Sequence, residues 1–232
     1  MQYFIGIDLA WGEKNSSGFC LFKEENNSLE LLELKLILSL SAIIDEIKKL
    51  SYSKISIGID APLVIPNITG NRSIEKEFIS DFGKYKISML PVNRTLMTKY
   101  TQNIRSEKLY KELLKLGYKR DINANKKVFE VYPHSTIAVC FNNYKILPYK
   151  RKKGRDTAFI KEQLKVYKSF LEKLFIDITL LEVDIDLLKG KSLKDYEDRL
   201  DAVTCAYTLY ITQIKAFKVY KLDGIDTFIT PI

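Results

Sequence analysis

The sequence predicts a single α/β domain built on a mixed sheet, and three observations lead there. Two short apolar runs end alike, Ile5-Gly6-Ile7-Asp8 and Ile57-Gly58-Ile59-Asp60, and read as buried strands that each close on an acid. Stretches with apolar residues at helical spacing are interleaved with these and later strand candidates, the pattern of an α/β chain. No flexible linker, internal repeat or low-complexity tract divides the 232 residues, and at roughly 150 residues per domain one unit is the simplest count.

Taken in order, Tyr3 to Asp8 is the first strand, and Trp11 to Ser16 is a loop of turn-forming residues leading to a second strand, Ser17 to Lys23. Leu29 to Leu36 alternates Leu with Glu and Lys, which suggests a third strand, with helix as its competitor because of the leucines. Ser41 to Leu50 carries Ile43, Ile44, Ile47 and Leu50 at helical spacing, with Ser39 or Ser41 as N-cap. Ile55 to Asp60 is a fourth strand, closed by Ala61-Pro62 because proline cannot continue a central strand. Residues 62–104, broken by Pro66, Gly70, Gly83 and Pro91, read as an insertion over one end of the sheet. Ser106 to Leu116 is a helix ended by Gly117, and Lys127 to Tyr132 is a fifth strand stopped by Pro133. After a basic loop, Tyr149 to Arg155, come two helices, Thr157 to Leu174 and Tyr196 to Gln213. Residues 217–230 form a terminal hairpin around Asp223-Gly224, a type I′ turn signal.

Composition narrows the chemistry. Hydrophobic residues at 46% and charged residues at 28% exclude a disordered, collagen-like or coiled-coil chain. His134 is the single histidine, and Cys20, Cys140 and Cys205 stand apart, which argues against a zinc site and a disulfide framework. Chemistry therefore rests on carboxylates, hydroxyls, amines and hard metal ions. Thirty-seven Lys and Arg against 29 Asp and Glu leave a net charge of +8, a field that favours anionic partners such as nucleic acid. The longest uncharged apolar stretch, Leu36 to Ile44, is too short for a membrane span, and Met1-Gln2-Tyr3-Phe4 lacks the basic start of a secretory leader. With unpaired cysteines, a cytoplasmic location is expected. Gly190-Lys191-Ser192 imitates the end of a phosphate-binding loop, but Ile185 stands where the earlier glycine is required.

Four acidic elements carry the functional reading. Asp8 and Asp60 close strands at the C-terminal ends where open α/β sheets place their sites, although one Asp alone often just caps a turn. Glu130 sits inside a strand between apolar neighbours, and Asp198 and Asp201 lie three apart on one face of a helix, near a first turn where acids also serve the helix dipole. Several converging carboxylates repel one another without cations. Magnesium or manganese takes oxygen ligands, and two such ions clamp the attacking and leaving oxygens of a phosphodiester. The run Lys150, Arg151, Lys152, Lys153 and Arg155 reads either as a solvated loop or as a phosphate-backbone grip, with Arg72, Arg94 and Arg105 as weaker candidates for the same task.

At these positions the chain resembles the DUF429 family, grouped with nucleases of ribonuclease H-like fold. The match runs through Gly6-Ile7-Asp8, Ile59-Asp60-Ala61-Pro62-Leu63, Arg72 and Glu75, Glu130-Val131-Tyr132-Pro133, and Asp198 to Ala202 with Cys205-Ala206. The resemblance implies a five-stranded mixed sheet, order 3-2-1-4-5, with helices on both faces. It implies Asp8 as the bridging metal ligand, with Asp60 or Glu130 and then Asp198 or Asp201 completing the shell. His134 stands where the family usually has a small residue and is expected to be exposed or helix-capping. The expected activity is phosphodiester hydrolysis on nucleic acid with two magnesium or manganese ions. Asp8, Asp60 and Asp201 hold the ions, Glu130 and Asp198 support them, and the basic loop with Arg72 holds substrate. The alternative is a ribonuclease H-like module that binds nucleic acid or protein without cutting. An ATP phosphotransferase of the actin type needs two lobes, which 232 residues without a repeat do not supply.

Overall fold

The computed structural model describes residues 1–26, 28–50, 54–99 and 103–232. Residues 100–102 of the expected insertion lie outside the described residues. The chain forms a mixed sheet of seven strands with helices on both faces: β1 (Gln2–Asp8), β2 (Ser17–Glu25), β3 (Ser28–Ile37), β4 (Ile55–Ile59), β5 (Lys126–Glu130), β6 (Phe217–Leu222) and β7 (Ile225–Pro231). Their spatial order is β3-β2-β1-β4-β5-β7-β6. The first five strands keep the expected order, and the count of five is corrected to seven because the terminal hairpin joins the sheet. Asp223 and Gly224 both take positive φ, 51° and 77°, as the type I′ turn requires. A two-stranded hairpin is marginal alone. This one docks on the edge of β5 through the Glu130–Phe228 pair and buries Tyr220, Leu222 and Phe228.

Strand alternation divides the core in two. Ile5 and Ile7 of β1 and Ile57 and Ile59 of β4 face α1 (Leu40–Lys48) and α4 (Arg105–Lys115). Phe4 and Phe129 face the other way, toward α6 (Thr157–Glu172) and α7 (Gly190–Ile211). Ser39 is the cap of α1, its side chain accepting from the Ala42 amide at 3.1 Å. Gly117, with φ of 86°, ends α4 as expected. β3 is a strand despite its leucines, because pairing with β2 and burial of Leu29 and Leu31 outweigh their helix propensity.

Helices appear where the sequence pattern weakens. Inside the insertion, α2 (Ser73–Phe82) sets Ile74, Phe78 and Phe82 against the hairpin, and α3 (Arg94–Met97) adds one turn. Pro133 does more than stop β5, since it opens α5 (Pro133–Phe141), where a missing N–H costs nothing. The helix expected from Tyr196 begins earlier, at Gly190.

Three glycines let α7 lie on the sheet. Gly6 on β1, Gly18 on β2 and Gly58 on β4 present no side chain, and the backbone oxygens of Ala202, Asp198 and Cys205 occupy the space a Cβ would need. The middle of α7, from Asp198 to Cys205, is thereby drawn against β1, β2 and β4.

Candidate functional site

The parallel register of β1 and β4 pairs Gly6 with Gly58 and Ile7 with Ile59, so Asp8 and Asp60 follow as neighbours at the same end of adjacent central strands. The Asp60 amide donates to the Ile7 carbonyl at 2.9 Å and carries the ladder to that point. Both side chains are half-buried and open on a cavity of about 920 Å³. Asp198, Glu197, Lys194, Lys191, Lys150 and Arg151 also line it, and Trp11, Met89, Leu90 and Tyr132 supply apolar wall. Among the described residues, neither Asp8 nor Asp60 receives a side-chain hydrogen bond. Burial pushes the Asp8 carboxyl well above its usual range against the pull of Lys150, with Asp201 and Asp60 adding repulsion. Asp60 is pushed up to about 6, again by burial first, with Lys150 opposing and Asp201 reinforcing.

Asp201 holds a different post from the one expected. It is fully buried and lies behind the cavity wall. The Tyr149 and Tyr167 hydroxyls donate to its Oδ1 at 2.6 and 3.0 Å. Lys150 Nζ stands 2.8 Å from Oδ2, an ion pair off the hydrogen-bond axis, so that Oδ2 has charge compensation without a well-aligned donor. Burial alone would raise this carboxyl, but Lys150 and Tyr149 together hold it below the usual range. Asp201 thus anchors Lys150, while Asp198, one turn earlier, reaches the cavity and takes Lys194 at 2.5 Å.

Glu130, with Arg72 and Glu75, borders the same cavity but enters it from the other face of the sheet. β4 and β5 pair Gly58 with Phe129 and Ile59 with Glu130, so strand alternation sends Glu130 away from the α7 side. There Arg72 meets it, Nη1 and Nη2 donating to its two oxygens at 2.9 and 2.8 Å, and the Leu63 amide donates at 2.7 Å. Arg72 is 4% exposed, and its remaining donors go to Glu75 and to the Val64 carbonyl. With all five N–H groups engaged, Arg72 has none for a phosphate. The expected substrate contact is corrected to a buried clamp that fixes the insertion to the strand end.

The basic loop divides by direction. Lys150 turns inward and Arg151 reaches the cavity rim, while Lys152 and Lys153 are exposed and outside the cavity. Arg155 Nη1 donates to the Lys150 carbonyl at 2.9 Å and so fixes the loop. Arg94 pairs with Glu107, and Arg105 donates to the Gly12 and Leu38 carbonyls, so both are engaged within the fold. His134 is neither exposed nor a cap. It sits in the first turn of α5 with its ring centre 4.9 Å from that of Tyr149, its Nδ1 buried without a partner, and burial with Lys150 lowers its pKa to about 4.

Asp8 and Asp60 fit a hard divalent cation. Magnesium keeps several waters and takes one or two protein carboxylates with substrate phosphate, and among the described residues these two are oxygen donors without competing side-chain hydrogen bonds. The larger shell expected from Asp8, Asp60 and Asp201 does not assemble, for Asp201 is committed to Lys150 and two tyrosines. Among the described residues no three His, Cys, Asp or Glu side chains gather closely enough to hold an ion between them.

Sequence reading missed the inward turn of Lys150, the tyrosine support under Asp201, and Lys194 and Glu197 at the wall. One usable signal was the glycine two places before each strand-ending acid, which marks close backbone approach. Among the described residues no helix is long and apolar enough to cross a membrane. No curated protein matches the chain. The family model described as protein of unknown function (DUF429) matches residues 6–212, the stretch that holds both strand-ending acids and α7, and the chain therefore belongs to the DUF429 family.

Proposed function

We propose that this protein is a metal-dependent phosphodiesterase acting on nucleic acid, built on a ribonuclease H-like arrangement of β1 to β5. The observation that carries the reading is the pair Asp8 and Asp60, side by side at the ends of two parallel strands, open to a cavity and, among the described residues, without hydrogen-bond donors. The strand order of the first five strands supports it, with β1 between an antiparallel β2 and a parallel β4.

Asp8 and Asp60 would hold a magnesium or manganese ion. When bound, such an ion supplies Lewis-acid polarisation of a phosphoryl oxygen. Lys150 places a fixed positive charge beside the same space, and Arg151 and Lys191 at the wall attract a polyanion. The apolar wall restricts water around the reacting phosphate, which strengthens these electrostatic contacts.

The test is cleavage of DNA, RNA, hybrid and branched substrates with added magnesium or manganese, beside calorimetry of metal binding. Cleavage that vanishes in Asp8→Asn with the fold intact supports the reading. No cleavage of any substrate together with no metal binding overturns it. One observation favours a second reading, a non-catalytic nucleic-acid-binding module: Asp201, one of the acids expected to hold metal, is already paired with Lys150. Binding that persists in chelator and is unchanged in Asp8→Asn would select that module.

A further inference from the structure

The charge around the cavity is arranged with more order than an acidic cluster alone. Asp201 is a pedestal: Tyr149 and Tyr167 fix one oxygen, Tyr167 is itself 2.6 Å from the Thr204 hydroxyl, and the other oxygen faces Lys150 Nζ at 2.8 Å. The Lys150 backbone is tied by Arg155. The ammonium meets Asp201 as an ion pair off the hydrogen-bond axis, and among the described residues it makes no aligned hydrogen bond, so its donors can turn to a ligand.

The carboxylates around that ammonium also divide in one way. Lys194 is taken up by Glu197 and Asp198 at 2.7 and 2.5 Å, and Asp201 by Lys150 at 2.8 Å. Among the described residues that leaves Asp8 and Asp60 as the cavity acids with no ion-pair partner, a pair that suffices for one hydrated divalent ion. A second ion would have to take a carboxylate from Lys150 or Lys194 and would press against a pinned ammonium at short range.

We propose that the site takes one divalent cation, on Asp8 and Asp60, and that the Lys150 ammonium held by Asp201 stands in the place of a second. This rests on the reading of the cavity as a metal-dependent phosphodiesterase site and changes its stoichiometry from two ions to one. Lys150 is then a positioned counter-charge, with its free donors directed at the non-bridging oxygens of a phosphate.

The experiment is manganese titration of the full chain by calorimetry and electron paramagnetic resonance, with Asp8→Asn, Lys150→Gln and Lys150→Arg. Wild type should bind one ion with an isolated-ion spectrum, and Asp8→Asn should weaken it at least tenfold. Lys150→Gln should admit a second ion with a spin-coupled spectrum, while Lys150→Arg, which keeps the charge, should stay at one. Circular dichroism checks that each variant is folded, and should Lys150→Gln fail to fold, Lys150→Met and the wild-type stoichiometry carry the decision. Two coupled ions in wild type overturn the inference and leave the phosphodiesterase reading standing. One ion in wild type and still one in a folded Lys150→Gln or Lys150→Met also overturns it. No binding by wild type overturns both.

Discussion

Gly6 and Ala202 meet backbone to backbone: the carbonyl oxygen of Ala202 lies where a Cβ on Gly6 would have to be. That contact seats α7 on β1 and, through it, sets Asp198 and Asp201 beside Asp8. Gly6→Ala must push α7 off the sheet, since the obstructing atoms are main chain and cannot swing aside. The expected cost is about 3 kcal/mol or more of stability. Gly12→Ala, where a Cβ meets open space, should cost no more than about 0.5 kcal/mol. Urea unfolding of the two variants decides it, and equal midpoints would remove the close-packing account.

Arg72 and Glu130 give a second prediction, because their role is separable from that of Asp8. Arg72→Ala leaves Glu75 and Glu130 buried without their cation and should cost about 3–5 kcal/mol. Glu130→Gln should lower stability while leaving manganese affinity within about twofold, since both Glu130 oxygens are committed to Arg72. Asp8→Asn should do the reverse. A Glu130→Gln variant that loses metal as Asp8→Asn does would return Glu130 to the metal site.

The division between what was legible and what was not follows from range. Asp8 and Asp60 were readable because a strand, its glycine and its terminal acid are consecutive, and the repeat of Ile-Gly-Ile-Asp announces parallel partners. The hairpin turn was readable because Asp223-Gly224 is local chemistry. Glu130 shares a strand-end position with those acids, yet its face depends on which residue of β5 pairs with Gly58, a fact of register that no single strand carries. Lys150 looked like one more basic residue of an exposed run. Its inward turn is set by Asp201, 51 positions away in sequence, and by the tyrosines beneath it.

Lys152 and Lys153 remain the exposed part of the basic run, outside the cavity, and their effect should be electrostatic alone. The double variant Lys152→Ala/Lys153→Ala should weaken nucleic-acid binding evenly across sequences. It should also flatten the dependence of log affinity on log salt by roughly 1–2 in slope if both meet duplex phosphates. Fluorescence anisotropy between low and physiological salt measures this. An unchanged slope would assign the loop to solvent and move the anionic partner to the cavity rim.

Asp60 supplies a pH dependence that needs no metal. Its carboxyl is raised from 3.8 to about 6 in the folded protein, by burial first. The native state therefore binds this proton more tightly than the unfolded state, so its contribution favours folding below about pH 4 and is lost as pH rises through 6. Asp201, held low by Lys150 and Tyr149, works the other way and loses its contribution as pH falls. Asp60→Asn removes the first effect and keeps the second. In chelator at pH 8 the variant should be more stable than wild type by up to about 3 kcal/mol, and toward pH 4 the two should converge. Manganese at pH 8 should then stabilise wild type more than the variant, which keeps Asp8 but lacks the second ionised carboxylate. Thermal unfolding at the two pH values, with and without manganese, measures all four states. The same advantage for Asp60→Asn at both pH values would show that ionisation of Asp60 is not its source.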